Sequence, residues 1–128
     1  MAAMVGIGTS ALLMVAVVLL ASMVPGGPVE TRSFAHLGRP VFWGFNVFLI
    51  SLGLLTIATA AYTLLGGHGA LALAAILGLL YVGVFVLDLS RVFPKTTDRM
   101  PTALLMLEIA DTAVAAALVV VAVGGLLL

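Results

Sequence analysis

The stretch from Pro101 to Leu128, PTALLMLEIADTAVAAALVVVAVGGLLL, decides how this chain folds. Its apolar run is about 20 residues or more, the length with which an α-helix crosses a hydrocarbon core of about 30 Å. Inside a bilayer every backbone polar group must be paired, which a helix achieves within one segment, and the run lacks the alternation of a barrel strand. The stretch therefore predicts a membrane-spanning helix, and two acids, Glu108 and Asp111, lie inside it.

Three further apolar runs precede this one, and short polar breaks separate them. Pro40 stands where the first turn of a helix tolerates a missing N–H, and the glycines of residues 66–69 favour a tight turn. The pattern predicts an all-α fold, an integral membrane bundle of four transmembrane helices that forms a single transmembrane domain over residues 1–128. The four helices are expected at about residues 2–23, 41–65, 70–89 and 101–125.

The composition supports this interpretation, because 64% of the residues are hydrophobic and only 8% are charged. Soluble domains carry about 45–50% apolar and about 25% charged residues. A chain of 128 residues buries too little surface to hide so much apolar area from water, so the lipid bilayer is its expected partner. The net charge is zero, which gives no field to attract nucleic acid.

Metal and cofactor chemistry have little to build on in this sequence. There are no cysteines, which excludes thiolate metal sites and disulfide chemistry. The two histidines, His36 and His68, fall in breaks on opposite sides of the predicted membrane, so they cannot together bind one metal ion or haem. We expect no metal, no cofactor and no catalytic residues.

The basic residues predict an orientation. Arg32 and Arg39 precede the second helix and Arg91, Lys95 and Arg99 precede the fourth, so all five lie on one side of the membrane. The positive-inside rule places these two loops in the cytoplasm and both termini outside, in a cell inner membrane or plasma membrane.

The charges near that side have further interpretations. Asp88 and Arg91, three residues apart, are expected to form an ion pair at the end of the third helix, and a gate is the alternative. Arg32 and Arg39 are expected to set the topology, and binding of a lipid headgroup or anion is the alternative.

Glu108 and Asp111 are three residues apart and share one face of the fourth helix. Counted from Pro101 at about 1.5 Å per residue, they lie about 10 Å and about 15 Å deep, where a charged side chain is expensive. We expect them to face protein, with at least one of them protonated at neutral pH. Depth alone predicts a polar layer of Asn46, Tyr81 and Glu108, with Ser51 and Asp111 one layer deeper.

Three classes of function are compatible with these features. The first is a small non-enzymatic membrane protein, an accessory or stabilising subunit of a larger membrane complex, because a short chain with few loops leaves little room for a transport cycle. The second is a homo-oligomeric transporter or channel for protons, cations or a small polar solute that uses Glu108 and Asp111. The third is a membrane-embedded enzyme that modifies a lipid or quinone with the same acids.

Overall fold

The computed structural model describes residues 2–23, 38–90 and 100–128, and these residues form a bundle of four helices. The helices are α1 (Ala2–Ser22), α2 (Arg39–Leu64), α3 (Ala70–Leu89) and α4 (Thr102–Leu126). The predicted all-α, four-helix architecture is confirmed, and each predicted boundary lies within two residues of the observed one. Each helix is long and apolar enough to cross a membrane.

Glycine and proline define the helix ends, as the sequence pattern predicts. Pro40 lies in the first turn of α2, and α4 begins immediately after Pro101. Gly66 and Gly69 adopt positive φ angles of 72° and 76° in the turn between α2 and α3, a conformation that favours glycine. The turn is fixed further by Tyr62, whose hydroxyl donates to the backbone carbonyl of His68 at 2.6 Å. This makes α2 and α3 an antiparallel hairpin.

The four helices pack in a ring in which α1 closes the circle between α2 and α4. The tightest interface joins α3 to α4, and the interface between α2 and α3 is much looser. Within the described ranges no Cα atom of α2 lies within 8 Å of one in α4, so these two helices lie on the long diagonal of the bundle. A side chain on α2 must therefore reach across the centre to meet one on α4.

The register of α3 against α4 follows from two close approaches. A Cβ on Gly78 would lie 2.7 Å from the Val119 side chain and 3.1 Å from the Ala115 carbonyl, and a Cβ on Gly125 would lie 2.8 Å from the Leu71 side chain. The two helices run antiparallel, and their buried residues fall at matching heights when counted from these contacts. The matched pairs are Ala74 with Ala122, Tyr81 with Ala115, Phe85 with Asp111, and Asp88 with Glu108.

The distribution of polar residues is the reverse of that in a water-soluble bundle. Large apolar side chains such as Leu54, Ile76 and Val120 are more than half exposed on the outer surface. The interior contains hydroxyl and carboxyl groups, and the buried polar and charged residues are Thr9, Ser10, Thr56, Thr59, Thr63, Asp88, Glu108 and Asp111. Charged side chains are almost never fully buried in soluble proteins unless they are paired, so these positions need a specific explanation.

Candidate functional site

The two acids of α4 face the interior of the bundle. The buried residues of α4 recur every three or four positions, and Glu108 and Asp111 occupy two consecutive places in this stripe. Glu108 is 4% exposed and Asp111 is fully buried. The remaining residues of the stripe are leucine or alanine: Leu104, Ala115, Leu118 and Ala122. The stripe brings carboxyl groups into contact with protein rather than with the surroundings of the bundle.

Asp111 lies in an environment that offers it few partners. Both of its carboxyl oxygens are buried, and neither has a hydrogen-bond partner among the residues that the structure describes. The residue at the same height on α3 is Phe85, which has no polar atom to offer. Tyr81 lies one turn away on the same buried stripe of α3 and is the uncharged polar side chain of that stripe.

Tyr81 is held by a hydroxyl from α2. Its side chain is fully buried, and its oxygen lies 2.8 Å from Oγ1 of Thr56, which is also fully buried. Oγ1 of Thr56 also donates to the backbone carbonyl of Leu52 at 2.6 Å. Hydroxyl groups thus connect α2 to α3 beside the buried carboxyl of α4.

Asp88 and Glu108 form a second acidic level, one turn nearer to the end of the bundle that carries Arg39. Asp88 is 6% exposed and lies in the last turn of α3, at the height of Glu108 on α4. Both residues take part in interactions. Arg91, the expected partner of Asp88, and Arg32 both lie outside the described ranges. Arg39 is exposed in the first turn of α2.

Two residues of α2 expected in the polar layer, Asn46 and Ser51, differ in their surroundings. Asn46 is half-buried, and its amide nitrogen donates to the backbone carbonyl of Phe42, one turn back in the same helix, at 3.1 Å. Ser51 is exposed on the outer surface of α2. Counting through the contacts of Val17 with Gly53 and of Val5 with Gly125 still places Ser51 near the height of Asp111. Ser51 therefore lies near the height of Asp111 but on the outer face of α2.

Sequence reasoning overlooked the residues that α2 does turn inward. Thr56, Thr59 and Thr63 recur at helical spacing, which places them on one face, and all three are buried. Thr63 donates to the backbone carbonyl of Thr59 at 2.6 Å, and Ser10 of α1 donates across the interface to the carbonyl of Ala60 at 3.0 Å. The regular spacing of three threonines in an apolar helix was the signal that would have identified this face.

An apolar groove of about 370 Å³ opens on the outside of the loose interface between α2 and α3. Its walls are Phe45, Phe48, Leu79, Leu80, Gly83, Val84 and Leu87. These side chains suit hydrocarbon and offer no ligand to an ion, so the groove is separate in character from the acids on the inside.

A family model described as a domain of unknown function, DUF8051, matches residues 6–127, which is nearly the whole chain. No curated protein and no solved structure matches the chain.

Proposed function

We propose that this chain, which belongs to the DUF8051 family, is an integral membrane protein that handles protons, with Asp111 as the group that takes up and releases them. The observation that carries the proposal is the position of Asp111, fully buried and with neither carboxyl oxygen hydrogen-bonded within the described residues. An ionisable residue inside a membrane helix is costly, and spanning the membrane does not require one. Function is the default interpretation of such a residue.

Insertion into a bilayer is supported by the outer surface of the bundle. Large exposed apolar side chains cover all four helices, and water solvates such a surface poorly. The polar groups are concentrated inside, where they need no contact with lipid. The basic residues support an orientation with the end of Arg39 in the cytoplasm and both termini outside, in an inner or plasma membrane.

A proton suits Asp111 better than a metal cation does. Metal cations such as Ca²⁺ take six or more oxygen ligands, whereas one carboxyl group is enough to bind a proton. In the described part of the chain, no group of three acidic or histidine side chains is arranged to hold a metal ion. The buried hydroxyls of Tyr81 and Thr56 are already hydrogen-bonded to each other.

The direction in which the acids point favours proton handling over assembly. An accessory subunit that used its acids to pair with a neighbouring chain would present them on its outer surface, whereas Glu108 and Asp111 face the inside of this chain. The accessory-subunit prediction and the prediction of a lipid- or quinone-modifying enzyme stay predictions, and no specific contact favours either.

The test is proton flux into proteoliposomes that contain the purified protein. A potassium diffusion potential set up with valinomycin drives proton entry, and a trapped pH-sensitive dye reports it. We expect uptake well above that of empty liposomes, and a fall to that background for Asp111→Asn, which keeps the size of the side chain but cannot bind the proton. The matched control is Ser51→Ala, at a similar height but exposed on α2, which should keep the full flux.

Two outcomes would refute the proposal. One is a wild-type flux no greater than that of empty liposomes. The other is an Asp111→Asn protein that is folded, as judged by its helical circular dichroism and a single chromatographic peak, and still conducts protons at the wild-type rate.

A further inference from the structure

Asp111 has two other buried carboxyl groups near it, and both lie on the same side of it. Glu108 precedes it by three residues in the buried stripe of α4, and Asp88 lies at the height of Glu108 on α3. Burial is complete at Asp111 and slightly less complete at the other two. Toward the other end of the bundle, the stripe of α4 continues only with alanine and leucine: Ala115, Leu118 and Ala122.

The ionisable groups of the other helices leave this side as the one with carboxyl groups. The α1 helix contains no ionisable side chain, and the two in α2, Arg39 and Tyr62, are exposed. Besides Asp88, α3 contains Tyr81, whose hydroxyl is bonded to Thr56. Among the described residues, the carboxyl groups around Asp111 therefore lie only toward the end that carries Arg39.

Helix geometry directs Asp111 toward Glu108. Each Cα–Cβ bond of an α-helix tilts toward the N-terminus of that helix, so a side chain lies over the preceding turn. The N-terminus of α4 is at the end that carries Arg39, so Asp111 leans toward the turn of Glu108. Because α3 runs in the opposite direction, Tyr81 leans away from Asp111, which agrees with its hydrogen bond to Thr56.

The spacing puts Glu108 within reach of Asp111, although the two are not bonded. Residues three apart on a helix have Cβ atoms about 5–6 Å apart. Neither oxygen of Asp111 is hydrogen-bonded within the described residues, so a proton can pass only after a side chain moves. The carboxyl carbon of Glu108 lies two bonds beyond its Cβ and that of Asp111 one bond beyond, so rotation about the C–C bonds of Glu108 can close this gap while the backbone stays in place.

We infer that Glu108 is the proton relay of this site, carrying protons between Asp111 and the end of the bundle that carries Arg39. Protonated Glu108 rotates to Asp111, its O–H bond breaks, and an O–H bond forms on the carboxylate of Asp111. The carboxylate left on Glu108 then takes a proton from water at the Arg39 end, and the reverse steps release a proton there. This inference rests on the proposed proton-handling role of Asp111 and adds the residue that connects it to one face of the membrane.

The experiment measures how fast the proton on Asp111 exchanges for deuterium. Protein in proteoliposomes is moved from ordinary to heavy water, in buffer acidic enough to keep Asp111 protonated, and infrared spectra are recorded over time. The carbonyl band of protonated Asp111, identified by its loss in Asp111→Asn, moves to lower frequency as O–H becomes O–D. The rate of this movement is the rate at which protons reach Asp111.

Glu108→Gln should slow this exchange by about 100-fold, the lower end of what a positioned acid or base contributes to proton transfer. Glutamine keeps the size of the side chain but cannot carry the proton. Glu108→Asp keeps a carboxyl group on a shorter side chain and should recover part of the rate.

Leu104→Ala is the matched control, because it opens a cavity in the same buried stripe, one turn nearer to the Arg39 end, and leaves the carboxyl groups in place. Its exchange should be as fast as in the wild type or faster. Loosened packing therefore raises the rate, whereas loss of the relay lowers it.

The inference is overturned if Glu108→Gln exchanges as fast as the wild type, whether or not Asp88→Asn is slow, or if Glu108→Asp is as slow as Glu108→Gln. The outcome is separable from the proposed function. Unchanged exchange in Glu108→Gln with an Asp111-dependent flux would remove the relay and leave proton transport intact. Slowed exchange in Glu108→Gln without any wild-type flux would do the reverse.

Discussion

The interior of the bundle has two polar halves, which differ in how their buried polar groups can be hydrogen-bonded. The carboxyl half, nearer to the end that carries Arg39, contains Asp88, Glu108 and Asp111 on α3 and α4. The hydroxyl half, nearer to the Gly66–Gly69 turn, contains Thr9, Ser10, Thr59 and Thr63 on α1 and α2. The bond between Thr56 and Tyr81 lies where the two halves meet.

The difference between the halves comes from what each group can do with its own helix. A hydroxyl can donate to the carbonyl one turn earlier, as Thr63 does to Thr59, although Oγ1 of Thr9 is buried without a hydrogen-bond partner in the described residues. A carboxylate only accepts hydrogen bonds, and the free groups along a helix interior are carbonyls, which also only accept. A buried acid therefore needs a partner from another helix, a bound cation or a proton. Hydroxyls alone would carry little information about function, whereas the acids do.

The largest effect on stability is expected at Gly78, where α3 and α4 make the close contact that fixes their register. In Gly78→Val the new side chain meets Val119 at 2.7 Å and the backbone carbonyl of Ala115 at 3.1 Å. Since a backbone atom cannot move aside easily, we expect a loss of about 3 kcal/mol in the free energy of unfolding, at the upper end of overpacking costs. Denaturant titration in detergent micelles measures it. Gly83→Val is the control, because a Cβ there meets no atom within 4 Å. Equal losses in the two variants would contradict the packing described for α3 and α4.

The second-largest effect on stability is expected at Asp111, where substitution replaces a buried carboxyl group with an apolar side chain and so tests the difference between the two halves. Asp111→Val removes a buried group without hydrogen bonds in the described residues, so the bundle should gain about 2 kcal/mol of stability, within the range for removing an unsatisfied polar group. Unfolding in the same micelles measures the gain. Ala113→Val, on the exposed side of α4, should stay within about 0.5 kcal/mol of wild type. A destabilised Asp111→Val protein would show that the carboxyl group has a structural partner.

A smaller effect is expected in the hydroxyl half, where Ser10 bonds across the interface between α1 and α2. Hydrogen bonds between membrane helices contribute about 0.6 kcal/mol on average, so Ser10→Ala should lose about that amount. Ser22→Ala is the matched control, because the hydroxyl of Ser22 bonds to the carbonyl of Leu19 within its own helix, and we expect its loss to be smaller. A loss at Ser10 as large as that at Gly78 would place the hydroxyl half among the main determinants of stability.

The smallest effect is expected at Thr63, whose hydroxyl bonds only within α2 at 2.6 Å. Thr63→Val should change the free energy of unfolding by less than about 0.5 kcal/mol, because a local bond of this kind adds little to a helix that is already paired. The same variant should leave the proton flux of proteoliposomes unchanged. A flux reduced as far as that of Asp111→Asn would extend the functional site into the hydroxyl half and remove the distinction between the two.

The helices could be predicted from the sequence because each is a long apolar run of the length needed to span a hydrocarbon core. A run of about 20 apolar residues crosses the hydrocarbon core, and proline and glycine mark its ends, so α3 was predicted to the residue and the other helices within two positions. The shared face of Glu108 and Asp111 follows from their spacing alone. Position along a helix can also be counted from the sequence. The helix contacts place Ser51 near the height of Asp111.

Only the tertiary structure decided which polar side chains meet. In a water-soluble bundle an apolar stripe on each helix marks the buried face, but α2 is apolar on all sides, so the spacing of its three inward threonines is the sequence feature that indicates its buried face. The rotation of α2 turns Thr56 inward, where it bonds to Tyr81 of α3, and turns Ser51 outward, while the ring order places α2 diagonally from α4. Position along an apolar helix can be counted from the sequence, while helix packing sets the direction in which each side chain points.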